Sequence, residues 1–178
     1  RWADDLADET ADPQRSLALL DWWERQLRDC YAGRTVHPVF VALADTIRQF
    51  EIPAEPFVDL LVAFRQDQRG TRYETFDQLL EYCRYSANPV GRLFLGLYGV
   101  EEDEARPLAD ATCTGLQLAN HWQDIARDLA RNRIYLPQAD LAAHRLSEEN
   151  LRAFAAGGPL DERWHGLMRE EVARARDF

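Results

Sequence analysis

Apolar positions recur every three or four residues along most of the chain, the period of an α-helix that buries one face. Leu17, Leu20, Trp23 and Leu27 share such a face in a helix that opens at Asp12-Pro13, an N-cap followed by proline at the first helical position, and ends near Gly33. A second stripe of Val39, Leu43 and Ile47 starts at His37-Pro38 and reaches about Phe50. Pro53 and Pro56 then punctuate the chain before a third helix over 57–68. Thr75 is placed to cap a long helix over 76–98 that contains Asn88-Pro89; an internal proline costs about 3 kcal/mol or more in an unadapted helix, so a kink is predicted there. Another long helix is predicted from about Arg106, with Pro107 in its first turn, to Asn132, followed by a turn over 133–137 and a short helical piece over 138–143. Ser147 caps the next helix, whose first turn holds Glu148 and Glu149, the charge sign that suits a helix N-terminus. Gly157-Gly158-Pro159 breaks it, and 160–178 reads as a last amphipathic helix. No segment keeps a period of two for long, so the expected fold is all-α.

Composition narrows the function classes. The 178 residues, 46% of them hydrophobic, are enough for one domain with a real core. A net charge of −10 excludes the basic footprint of a nucleic-acid surface. All basic residues are arginines, which either reflects coding bias or suits bidentate phosphate contacts. Cys30, Cys83 and Cys113 are odd in number and without C-x-x-C spacing, so they predict neither a disulfide framework nor a zinc site. No apolar run is long enough to cross a bilayer and no basic-then-apolar start resembles a signal peptide, which gives a cytoplasmic expectation compatible with peripheral membrane association. The chain starts without Met, three residues before its first carboxylate cluster, and the expectation is a fragment with residues missing before it.

Two helical segments repeat oxygen-bearing side chains every four residues. Asp4 and Asp8 share one face of the first, with Asp5 and Glu9 about 100° round on the next; Asn120, Asp124 and Asp128 fall on one line of the second, with Gln117 a turn earlier. Like charges at this spacing destabilise an isolated helix by about 0.2–0.5 kcal/mol per pair, so the clusters invite a compensating cation or an arginine partner. Oxygen-only donors favour Mg²⁺ or Ca²⁺. Arg1, Arg127, Arg131 and Arg133 stand near the clusters in sequence and could pair with them or clasp a phosphate. The segment with Tyr82, Arg84, Tyr85, Ser86, Asn88 and Arg92 reads either as aromatic core or as a cavity wall whose tyrosine faces stabilise a cation. Glycine-rich phosphate loops are absent, and Glu162-x-x-His165 stands alone where a di-iron bundle needs two such pairs.

Three of these segments, in order, resemble the squalene/phytoene synthase family of head-to-head prenyl synthases over essentially the whole chain. Arg1-Trp-Ala-Asp4-Asp5-Leu-Ala-Asp8-Glu9 is similar to its first aspartate-rich motif, Tyr82-Cys-Arg-Tyr-Ser-Ala-Asn-Pro-Val-Gly91 to its Y-C-x-x-x-A-x-x-V-G helix, and Gln117-Leu-Ala-Asn120-His-Trp-Gln-Asp124-Ile-Ala-Arg-Asp128 with Arg133-Ile-Tyr-Leu-Pro137 to its second metal motif. The resemblance implies an isoprenoid-synthase-type helical bundle around a central cavity, the chain forming the central part of one such domain without flanking helices. It implies Mg²⁺ held by Asp4, Asp8, Asn120, Asp124 and Asp128, a prenyl diphosphate contacted by Arg1, Gln117, Asn120, Arg84, Ser86, Asn88 and Arg133, and Tyr82 at the tyrosine associated with the cyclopropyl intermediate. Asn88-Pro89, and Gln123 where Arg is usual, look most like the bacterial hopanoid-pathway branch, which implies conversion of presqualene diphosphate to hydroxysqualene. The alternatives are a full squalene or phytoene-type synthase joining two prenyl diphosphates, and a non-catalytic scaffold with the same fold. The resemblance leaves oligomeric state open.

Overall fold

The computed structural model describes residues 2–8, 10, 12–69, 72–100 and 102–178, without the side chains of Asp8, Glu102 and Asp103. Among the described residues the regular structure is entirely helical: α1 (Trp2–Asp8), α2 (Pro13–Tyr31), α3 (Pro38–Phe50), α4 (Glu55–Asp67), α5 (Phe76–Ser86), α6 (Asn88–Tyr98), α7 (Glu102–Gln123), α8 (Ile125–Ala130), α9 (Gln138–Ala143), α10 (Glu148–Ala155) and α11 (Glu162–Arg176). None of these helices is long and apolar enough to cross a membrane. The chain divides into two compact units, one of Arg1–Arg69 with Tyr85–Asp110 and one of Gly70–Arg84 with Ala111–Phe178.

Caps explain most boundaries. Asp12 accepts the Gln14 N–H to start α2, Thr75 Oγ1 accepts the Gln78 N–H while Gln78 Oε1 accepts that of Glu74 to start α5, and Ser147 forms a reciprocal box with Asn150 at α10. The last helix starts at Glu162 rather than at 160 because Asp161 accepts the N–H groups of both Arg163 and Trp164. Pro56, expected as punctuation, lies inside the first turn of α4, where its missing N–H has no intrahelical role to lose.

Two expected long helices are each divided. The predicted kink at Asn88-Pro89 is a break at Ala87 (φ −119°, ψ −52°), and Pro89 sits at the start of the new helix α6, where proline is tolerated. Asn88 itself is helical, so the departure from regular geometry falls one residue earlier than the proline predicts. The helix expected over 106–132 starts earlier, at Glu102, with Pro107 inside it, and bends at Asp124 (φ −98°, ψ 13°) into α8. Backbone bonds continue across that bend, Asp124 N–H to Asn120 and Asp128 N–H to Asp124, both 2.9 Å, so the four-residue spacing of the ligand-type side chains survives it.

In the first unit a core of Ala7, Leu20, Trp23, Leu27, Cys30, Phe40 and Leu61 joins α1 to α4. Seven residues are too few for α1 to persist alone. Trp2 stacks on Trp23 (6.1 Å, 2° between planes), Ala7 is buried, and the Ala7 carbonyl accepts from Ser16 Oγ (3.5 Å) and Gln68 Nε2 (3.0 Å). Tertiary contacts therefore hold the helix that bears the first aspartate cluster. In the second unit the residues before α5 pair with the start of α9, Gln138 N–H to Tyr73 at 2.8 Å and Ala139 N–H to Glu74 at 3.0 Å.

Candidate active site

The first unit contains an apolar cavity of about 400 Å³, lined by Trp2, Ala3, Trp23, Leu27, Val39, Phe40, Leu43, Phe57, Leu60, Leu61, Phe64 and Leu93. Its volume is in the range of small-molecule sites, and every side chain that lines it is aliphatic or aromatic. Helix α1 supplies two of these residues, Trp2 and Ala3, and the next in sequence is Asp4, which is partly buried. An element that continues from apolar wall to carboxylates can face a molecule with a hydrocarbon tail and a charged head. Arg1, Glu9 and the Asp8 side chain lie outside the described residues.

The second unit positions the other cluster. Asn120 is exposed, Asp124 and Asp128 are partly buried, and Leu116 is 63% exposed while Leu118 is fully buried. The ligand row thus runs along a face open on one side. Burial, with the Asp124 carboxylate adding to it, pushes the Asp128 carboxyl up to about 6, against the pull of Arg133, Arg127 and Arg131. Arg127 approaches Asp124 at 3.8 Å from an exposed position, a weak pairing. The two carboxylates therefore repel one another on this face, with the three guanidiniums opposing that repulsion.

Behind it lies a buried group of rings. Tyr82, 4% exposed, has Tyr73 at 5.5 Å, Tyr135 at 5.6 Å and His121 at 6.1 Å between ring centroids. His121 stacks on Tyr135 at 3.7 Å with 17° between planes, and its Nε2 lies 3.3 Å from Gln117 Nε2. Burial pushes the imidazole down to about 3, so His121 is neutral at physiological pH. Ile125, Asp128, Leu129, Arg133 and Tyr135 share a narrow cleft with His121. Arg72 fixes the turn that presents Arg133: its guanidinium donates to the Asn132 carbonyl (2.8 Å) and side chain (2.9 Å) and pairs with Glu148 (2.6 Å), while Asn132 takes a positive φ of 58°.

The remaining expected site residues divide. Arg84 is exposed and paired with Glu81 at 2.8 Å. Asn88 is buried at 6% exposure, and Ser86 Oγ is buried without a hydrogen-bond partner. Arg92 is held by a bidentate contact to Asp110 (3.0 and 3.2 Å), with Asp59 at 3.5 Å, a structural arginine that ties α6 to α4 and α7. Spacing within helices gave no sign of Arg72, Tyr73, His121 or Tyr135 as neighbours of Tyr82 or Arg133. Tyr135 stands in the R-I-Y-L-P segment, and that segment was the one available signal.

Among the described residues no three His, Cys, Asp or Glu side chains close on one point as a ready-made metal cage. The donor set of the second cluster is nevertheless all oxygen, two carboxylates and an amide. That fits Mg²⁺, which takes one or two carboxylates and draws its other ligands from water and substrate phosphate.

The squalene/phytoene synthase family profile matches residues 1–178. Phytoene synthase of Arthrospira platensis is 37% identical over 191 residues, covering 100% of this chain and 60% of that protein. Among solved structures, squalene synthase HpnC from Alicyclobacillus acidocaldarius superimposes with a TM-score of 0.89 at 46% identity, over 98% of this chain and 64% of the other. A dehydrosqualene synthase in complex with ligand gives a TM-score of 0.86 at 28% identity, over 98% and 59%. The chain thus spans roughly three fifths of the length of each of these three proteins, and its helical fold is that of the two solved structures.

Proposed function

Because the chain belongs to the squalene/phytoene synthase family, we propose that it carries out Mg²⁺-dependent prenyl diphosphate chemistry, converting presqualene diphosphate to hydroxysqualene. The observation that carries the reading is the cavity of about 400 Å³ whose apolar wall continues along α1 into the first aspartate motif. A prenyl diphosphate has the same two-part chemistry. The 46% identity to a protein named a squalene synthase supports the squalene side of the family.

In this reading Asp4, Asp8, Asn120, Asp124 and Asp128 hold Mg²⁺, which when bound neutralises the diphosphate as it leaves. Arg133, with Arg72 fixing its turn, and Arg1 contact the diphosphate; Gln117, Ser86 and Asn88 contribute polar contacts to the substrate. Arg84, given its exposed pairing with Glu81, contributes least. The carbon–oxygen bond to the diphosphate breaks with the electron pair on oxygen and leaves a cyclopropylcarbinyl cation. The ring opens, the oxygen of water bonds to the cationic carbon, and the water's proton passes to the released diphosphate. Tyr82 presents its ring face to the cation and the apolar wall keeps bulk water away.

A second reading, a phytoene-type or full squalene synthase that first joins two prenyl diphosphates, is favoured by the 37% identity to a phytoene synthase. Mass-spectrometric product analysis after separate incubation with presqualene, farnesyl and geranylgeranyl diphosphates distinguishes them. An alcohol from presqualene diphosphate without NADPH supports the proposal; NADPH-dependent squalene with no alcohol, or a C40 product, replaces it with the second reading.

A further inference from the structure

We infer that His121 is a positioning residue for the aromatic wall of Tyr82 and Tyr135, and that it sets how the cationic intermediate divides among products. The inference rests on the prenyl diphosphate reading and adds to it a residue to which that reading gives no role.

His121 sits in the last turn of α7, directly after Asn120 and three residues before the bend at Asp124. Its ring lies flat against Tyr135 at 3.7 Å, against 5.5–6.1 Å for the contacts among Tyr73, Tyr82 and Tyr135 and between Tyr82 and His121. It is therefore the tightest contact in the group. Gln117, one turn earlier on the same helix, meets its Nε2 at 3.3 Å and fixes the rotation of the imidazole about its own axis. With the amide as donor, Nε2 is the acceptor and the ring proton is assigned to Nδ1. The same ring borders the cleft that holds Asp128 and Arg133. His121 thus touches both the tyrosine wall and the cleft of the second carboxylate motif.

A purely structural ring here would be better made of carbon. Phenylalanine would fill the same stack, and a leucine at 117 would spare the cost of a half-buried amide–imidazole pair. The polar pair makes the ring's orientation single-valued, which matters where a cation must meet an aromatic face at a fixed place. A displacement of about 1 Å in a positioning group can cost roughly a hundredfold in rate.

The test compares the wild-type protein with His121→Phe, which keeps the stack but loses the bond to Gln117, and with Gln117→Leu, which loses the bond together with the amide's proposed contact to substrate. Each is assayed with Mg²⁺ and presqualene diphosphate and, separately, farnesyl diphosphate, reading kcat, KM and the ratio of alcohol to hydrocarbon. Both variants are expected to lose roughly tenfold or more in kcat and to shift the product ratio in the same direction, and His121→Phe to keep KM within about twofold. His121→Phe with unchanged melting temperature, kcat and product ratio, beside an active wild type, would overturn the inference alone. A wild type inert toward both diphosphates would overturn the functional reading and this inference with it. If His121→Phe does not fold, Gln117→Leu decides: unchanged kcat and products in that variant refute the positioning role.

Discussion

At the residue scale, the second motif carries the clearest expectation. Asp124 and Asp128 sit in mutual repulsion on a face where Asp128 is already pushed up to about 6 by burial and by its neighbour. Replacing either by Ala should lower turnover at least about a hundredfold, the scale of losing groups that stabilise leaving-group charge. The melting temperature should hold or rise, because a like-charge pair has been removed. Helicity by circular dichroism and steady-state turnover check both halves, and full activity in both single variants would refute the assignment. The spacing Asn120-x-x-x-Asp124-x-x-x-Asp128 was legible in sequence because it is local to one helical stretch. The surroundings of Tyr82 were not: Tyr73, His121 and Tyr135 come from different elements, and only tertiary packing brings them together.

At the element scale, the apolar period and the capping residues Asp12, Thr75, Ser147 and the prolines at 13 and 38 located the helices well, since each acts within one turn. The breaks were harder to read. Pro89 announced an interruption, but the backbone departs from the helix at Ala87, and nothing in the local sequence around Asp124 predicts its bend. Helix α1 depends on contacts from α2 and α4, which leads to a prediction at this scale. Gln68→Leu removes the 3.0 Å bond to the Ala7 carbonyl and should cost about 0.5–1.5 kcal/mol of stability. Its effect on turnover should be disproportionate, several-fold or more, because the helix that loosens bears Asp4 and Asp8. Denaturation midpoints alongside kcat/KM would show this; a loss of stability with unaltered kcat/KM would mean that α1 plays no part in the chemistry.

At the scale of the whole molecule, a buried acid adds a pH dependence unrelated to the proposed chemistry. Glu171, with no exposed surface, lies in the second unit beside Asp140 of α9, with Glu170 and Arg174 on its own helix; Arg174 pairs with Asp140 at 2.6 Å and caps the Phe76 ring at 4.8 Å, and His144 meets Glu170 at 2.9 Å. Burial first, then the Asp140 carboxylate, pushes the Glu171 carboxyl from an ordinary 4.5 up to about 8. The folded protein therefore holds a proton that the unfolded chain releases between these values. The stability tied to it is complete below about pH 4.5 and is lost as pH rises toward 8. Glu171→Gln should flatten this dependence, and the wild type should lose roughly 2–4 °C more than the variant between pH 5 and pH 8.5, the shift that about 1 kcal/mol makes in a chain of this size. Parallel melting curves for the two across that interval would show that Glu171 is ionised throughout.

In the proposed function this family member uses its aspartate motifs to ionise a prenyl diphosphate with Mg²⁺. Release of inorganic diphosphate from presqualene diphosphate, followed as Mg²⁺ is added to metal-free protein and then withdrawn with EDTA, tests it most directly. The expected result is no release without the metal, saturable release with it, abolition by EDTA, and near-background release from Asp124→Ala under all conditions. Release that is independent of Mg²⁺, or that survives in Asp124→Ala at the wild-type rate, would contradict it.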